Sequence, residues 1–241
     1  MLCAIALFLM CRFFKDADER TVNKILLVFS VCCLAFEVYK QVIFSFDYNG
    51  GDVSWDYQWY AFPFQFCSMP MYTALLAVIL KKGRVHDALL VFLACYGTLA
   101  GILVMAMPGD VFTPALMIDV QTMFHHGSQL VVGLYLLLCK KIKLNFRAIL
   151  GGALVFIGVL SIALLLDIVF YKTGIIGDET FNMFFISPYF DSTLPVYKDL
   201  YQKLPYPVFF ALYAVPFVAA SSLMFAVRAL FDKALTKKRT V

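Results

Sequence analysis

Apolar residues arrive in long blocks separated by short polar stretches, over Ile25–Phe46, Tyr60–Leu80, His86–Met107, Ile118–Cys139, Ala148–Tyr171 and Tyr206–Phe231. About 20 apolar residues in a helix rising about 1.5 Å each cover the hydrocarbon thickness of a bilayer. The pattern therefore predicts six transmembrane helices. Unbroken runs of this kind exclude the in-out alternation of an outer-membrane barrel. A seventh run, Met1–Phe14, is short for a span, so it either crosses a thinned bilayer with little tilt or continues upstream. Its basic residues, Arg12, Lys15, Arg20 and Lys24, stand at its end or after it. A signal peptide has the reverse order, so a retained first helix is expected.

Composition agrees with this reading. The chain is 62% apolar and 17% aromatic with 15% charged residues, and its mean hydropathy is +0.83. A water-soluble domain cannot cover such a surface with polar groups, so the expected class is all-α: one polytopic membrane bundle of about seven helices filling 1–241. The net charge of +4 is distributed by side rather than by patch. Segments Arg12–Lys24, Lys81–Arg84, Lys140–Arg147 and Arg228–Arg239 hold 16 of the 20 Lys and Arg, leaving Lys40, Lys172, Lys198 and Lys203. The positive-inside rule then puts the N-terminus outside and the C-terminus in the cytoplasm. No stretch is suited to nucleic acid. The outer side receives Asp47–Trp59, Pro108–Met117 and Lys172–Pro205; the last carries Phe181, Phe184, Phe185, Ile186, Tyr189, Phe190 and Tyr197, enough to lie on the headgroups or cap the bundle. Short loops and charge bias point to a prokaryotic plasma membrane.

Candidate chemistry is narrow. All seven cysteines fall in or at the end of apolar runs, which argues against a disulfide framework. No CxxC, HExxH, Walker loop, GxSxG elbow or dinucleotide fingerprint occurs, so no metal or cofactor is expected.

The ionisable groups at membrane depth remain. At 1.5 Å per residue, Cys67 lies about 10 Å, His126 about 12 Å and Glu37 about 14 Å from the outer ends of their runs, and Gln65 and Asp167 fall in the same layer. Four helices thus bring polar groups to the outer half of the bilayer, where they would line a cavity. A thiol beside an imidazole is a candidate nucleophile and base. Each residue also has a plainer reading. An intramembrane cysteine is often only a small packed residue, and Glu37 and Lys40, three apart, fit a structural ion pair as well as an acid–base role. Asp167 fits an interaction with its own helix end. On the helix carrying it, His126 shares a face with Asp119 and Gly133, whereas His125 shares one with Thr122 and Gln129; either can face the cavity. Pro63 and Pro70 bracket Cys67, and a proline inside the span would free the Phe66 carbonyl and kink the helix.

The stretches FPFQFCSMPMY, FHHGSQLVVGLYLL, FNMFFISP and PYPVFFALYAVPF resemble, in order and spacing, the transmembrane protein 164 family and its bacterial YwaF-type relatives, over about Glu37 to Phe217. That family is regarded as lipid acyltransferases with a membrane-embedded cysteine and histidine, distantly similar to the androgen-induced lipid hydrolases, which use threonine and histidine. The resemblance implies that Cys67 is the nucleophile and that His126, of the His126-Gly127 pair, is the base, with the adjacent His125 the other choice. It implies membrane phospholipids as substrates and a thioester intermediate. Gln65, Asn182 or backbone N–H groups near Pro63 would stabilise the oxyanion, and Glu37 or Asp167 would orient the imidazole. Gln65 departs from the histidine that bacterial relatives often carry shortly before the cysteine. A different class fits the same helices: a small-solute carrier or membrane binding subunit with a polar outer pocket.

Overall fold

The computed structural model describes residues 1–49, 52–107, 112–113 and 115–239, and almost all their regular structure is helical. In chain order come α1 (Leu2–Phe14), α2 (Glu19–Ile43), the antiparallel pair β1 (Phe46–Asn49) and β2 (Asp52–Trp55), and α3 (Met69–Leu80). Next, α4 (Arg84–Val91) runs through a π-helical turn, Phe92–Gly97, into α5 (Thr98–Ala106); then follow α6 (Leu116–Leu138), α7 (Phe146–Thr173), α8 (Tyr197–Lys203) and α9 (Tyr206–Arg239). Among the described residues, five stretches are long and apolar enough to cross a membrane: Glu19–Ile43, Trp59–Leu80, Arg84–Ala106, Phe146–Thr173 and Tyr206–Lys233. With 23 residues, α6 is also long enough at about 35 Å. Asp119, Gln121, both histidines and Gln129 lower its hydropathy below that of the five.

The all-α polytopic bundle expected from the apolar runs is the fold observed. Its basic connections meet at one end, where Tyr135 donates to the Phe14 carbonyl (2.9 Å), Lys141 to the Ala17 carbonyl (2.7 Å), and Lys143 and Lys140 pair with Asp87 and Asp232. The opposite end closes through Trp59 N–H to Glu179 (3.1 Å) and through Gln65. Of the expected outer segments, half of Pro108–Met117 lies outside the described residues, and its end, from Leu116, is already in α6.

Three expectations are corrected. The run Ile25–Phe46 is helical from Glu19, because Asp18 caps the helix by accepting from Thr21 N–H (2.9 Å), and it stops at Ile43, before Phe46 enters β1. Hydropathy misses such polar first turns, which sit among headgroups. The run Tyr60–Leu80 is not one helix: two 3-10 turns, Trp59–Ala61 and Phe66–Ser68, precede α3. Pro70 therefore makes no kink. It stands in the first turn of α3, where its missing N–H costs no intrahelical bond. The Lys172–Pro205 segment folds over the bundle end as a cap. Phe181, Met183, Phe184 and Ile186 are wholly buried in it, and only α8 and a 3-10 turn are regular.

The core centres on the π turn, where Phe92, Tyr96 and Phe156 stack with centroids 5.4 and 4.9 Å apart and no ring exposed. Close approach of α6 to this turn requires Gly133: a Cβ there would lie 2.3 Å from Thr98 Oγ1 and 2.8 Å from the Leu93 carbonyl oxygen.

Candidate functional site

The site begins with a stretch of chain that is not helical. Between the two 3-10 turns, Phe62–Gln65 is irregular, and such backbone at membrane depth persists only where protein or a cavity surrounds it. Here protein holds it on both sides: Tyr72 donates to the Pro63 carbonyl (3.0 Å), Gln41 to the Ala61 carbonyl (2.8 Å), and Ser30 of α2 to Met71 (2.7 Å). The Phe66 ring packs on Phe156, Phe184 and Phe217, with centroids 5.2 to 5.7 Å away. Cys67, in the middle of the second turn, keeps partial exposure, whereas Ser68 beside it is buried.

His125 is brought to this turn, the His126 ring lies 5.2 Å from that of His125, and both are buried. His125 Nε2 lies 2.9 Å from the Cys67 carbonyl oxygen, and His126 Nδ1 lies 2.7 Å from the carbonyl of Thr122, one turn earlier in α6. A carbonyl only accepts, so each of these nitrogens carries a proton. In the neutral rings the other nitrogens, His125 Nδ1 and His126 Nε2, keep a lone pair, and neither has a hydrogen-bond partner. The pair thus offers two buried basic nitrogens, one on the ring that touches residue 67.

Glu37 and Lys40 of α2 lie close enough to act electrostatically on Cys67 and His125. Glu37 accepts from Lys40 (2.8 Å) and from Gln41 (2.9 Å). The ion-pair reading is the one formed. Tyr57 donates to Gln41 Oε1 (2.7 Å), and burial, with Glu37 nearby, pushes its phenol up to about 12, so it stays a donor throughout the ordinary pH range. Each histidine gives its N–H to a backbone carbonyl, so neither Glu37 nor Asp167 orients an imidazole; the Cys67 carbonyl holds His125 and the Thr122 carbonyl holds His126.

Gln65, Asn182 and Asp167 do other work. Gln65 donates to the Asn182 carbonyl (3.1 Å) and accepts from Phe184 N–H (2.8 Å), while Asp167 Oδ1 accepts from Met183 N–H (2.7 Å). Asn182 accepts from Ser187 N–H (2.8 Å) and donates to the Asp191 carbonyl (3.1 Å). These bonds hold Phe184 and Phe185 at φ of 56° and 59°, a strained region for bulky residues. The two side chains named as oxyanion donors are therefore committed to the cap directly above Phe66.

A family profile matches residues 1–225 of the 241. The chain belongs to the TMEM164 family. No curated protein and no solved structure matches it.

In this TMEM164 family member a groove of about 610 Å³ opens between α1, α5 and α6. Its walls are apolar, with Ala6, Met10, Met105, Met123 and Val131, and it runs over Gly127 and Ser128, the residues following the histidines. Ser128 donates to the His125 carbonyl (3.1 Å). Among the described residues, no three His, Cys, Asp or Glu are grouped to hold a metal ion. Sequence reasoning missed Gln41 and Tyr57, and it placed Thr122 on the face of His125, whereas the Thr122 carbonyl holds His126. The spacing of Glu37 and Gln41, four apart on one helix, was the signal for the first.

Proposed function

We propose that this protein is a phospholipid acyltransferase of the plasma membrane in which Cys67 is the nucleophile. The observation that carries the reading is the bond from His125 to the Cys67 carbonyl, which ties a pair of adjacent imidazoles, each with one nitrogen unpartnered, to the backbone of a partly exposed cysteine. An imidazole of the pair takes the thiol proton; the thiolate attacks the ester carbonyl of a phospholipid acyl chain, and the C–O bond breaks. The departing lysophospholipid alkoxide takes the proton from the imidazolium, leaving a thioester on Cys67. The hydroxyl of a second lipid then gives its proton to the imidazole, attacks the thioester, and the C–S bond breaks to regenerate the thiolate.

The remaining chemistry fits local groups. Lys40 places a positive charge within electrostatic reach of the thiolate, and the apolar groove beside Gly127 suits an acyl chain arriving laterally from lipid. Gln65 and Asn182 are engaged elsewhere, and Phe62 and Phe64 N–H on either side of Pro63 already donate to the Trp59 and Phe62 carbonyls, so the Lys40 ammonium, with N–H bonds beyond the one to Glu37, is the better oxyanion donor.

The test is transfer of a labelled acyl chain from phosphatidylcholine to lysophospholipid by purified protein in vesicles. Wild type is expected to transfer and Cys67→Ala to be silent. Transfer undiminished in Cys67→Ala would overturn the nucleophile assignment and return the fold to the carrier reading.

A further inference from the structure

A second cavity, of about 450 Å³ and lined mostly by polar residues, lies at the basic end of the bundle, the opposite end from Cys67. The start of α2, the turn into α4 and the α6–α7 connection form its walls. His86 lines it, is 6% exposed, and has no hydrogen-bond partner at either ring nitrogen; the nearest carboxylate oxygen, on Asp87, is 3.6 Å from Nδ1. A neutral imidazole carries one N–H, so a buried donor here lacks an acceptor. Burying such a group unsatisfied is costly unless a ligand or solvent completes it. Asn23 Oδ1, on the facing wall, is likewise buried and without a partner.

Charge indicates the ligand. Four lysines line the cavity against two acids, Glu19 and Asp87. Asp87 is taken by Lys143 (2.7 Å), Lys141 is held by the Ala17 carbonyl, and Lys140 pairs with Asp232. Lys82, exposed at the rim, has no carboxylate partner among the described residues. Gly83, at φ +114°, opens α4 and lines the same cavity together with His86 of the first turn, so the positive end of the helix dipole lies there.

We propose that this cavity binds a phosphate group, which accepts from His86 and the first turn of α4 and is neutralised by Lys82. The group belongs either to an anionic phospholipid headgroup of the cytoplasmic leaflet or to a soluble phosphate.

Native mass spectrometry of the full chain with phosphatidylglycerol or phosphatidylcholine, and thermal melting in phosphatidylcholine nanodiscs with inorganic phosphate, separate the two sources. Preferential retention of phosphatidylglycerol, weakened about fivefold by Lys82→Gln and lowered also by His86→Leu, supports the headgroup. Stabilisation by inorganic phosphate that Lys82→Gln abolishes supports the soluble ligand. Lys24→Gln removes the same charge from an exposed position of α2 outside the cavity and is expected to change neither. Both probes behaving alike in wild type and Lys82→Gln, or an equal loss in Lys24→Gln, overturns the proposal. Should His86→Leu fail to fold, the exposed Lys82 still decides.

Discussion

At the scale of single residues, the site depends on which atoms of the two histidines hold protons. Backbone carbonyls of Cys67 and Thr122 fix one proton on each ring, leaving His125 Nδ1 and His126 Nε2 as the basic atoms. Glutamine can donate as histidine does but supplies no base. Hence His125→Gln and His126→Gln are expected to keep the fold, and one of them to lower acyl transfer by about 10²–10⁴-fold, the usual worth of a general base. Transfer rates and melting curves of the two variants check this. Gln65 has a different task, and Gln65→Ala would leave the wholly buried Phe184 N–H without an acceptor. The expected cost is about 1–3 kcal/mol, read as a lower melting temperature and faster hydrogen exchange across Phe181–Phe190. Cys67 and the histidines were legible in the sequence as ionisable groups at one depth. That Gln65, Asn182 and Asp167 serve the cap instead was not legible, because their partners are backbone groups: Gln65 and Asn182 are 117 residues apart, and depth alone cannot assign a partner.

At the scale of elements, the bundle is regular where sequence pattern is informative and irregular where the site is built. Hydropathy located the apolar spans because each must cross a fixed thickness, but it cannot tell a helix from other backbone when every side chain is apolar. Ala61–Phe66 reads as the start of a span, yet two 3-10 turns and irregular chain occupy it, and α3 starts only at Met69. The π turn at Phe92–Gly97 was likewise invisible. At its end the Gly97 carbonyl accepts from Gln129 (2.8 Å), and α6 comes close enough at Gly133 to exclude any side chain. Gly133→Ala is expected to destabilise the fold by about 1–3 kcal/mol, the usual cost of overpacking, because the Leu93 carbonyl cannot move aside as a flexible side chain would. A melting temperature equal to wild type would contradict this packing.

At the scale of the whole molecule, the chain separates two ends with different chemistry. Basic loops gather at one end, and the cap formed by the Lys172–Pro205 segment closes the other over the cysteine turn. The sequence showed this asymmetry through the distribution of Lys and Arg. It did not show the lateral groove, where α1 packs beside the consecutive helices α5 and α6 about 100 residues later. Ala6→Trp on α1 would fill part of that groove without touching the histidines. Transfer of long acyl chains is expected to fall several-fold while the melting temperature is kept, and an unchanged rate would place the lipid path elsewhere.

The most direct test of the account is the intact mass of the protein after incubation in nanodiscs with a phospholipid carrying an isotopically marked acyl chain, run beside Cys67→Ala. A thioester on Cys67 gives an added mass of one acyl chain in wild type, removed by hydroxylamine and missing from Cys67→Ala. An adduct of equal yield in Cys67→Ala, or none in wild type that transfers acyl chains normally, would contradict it.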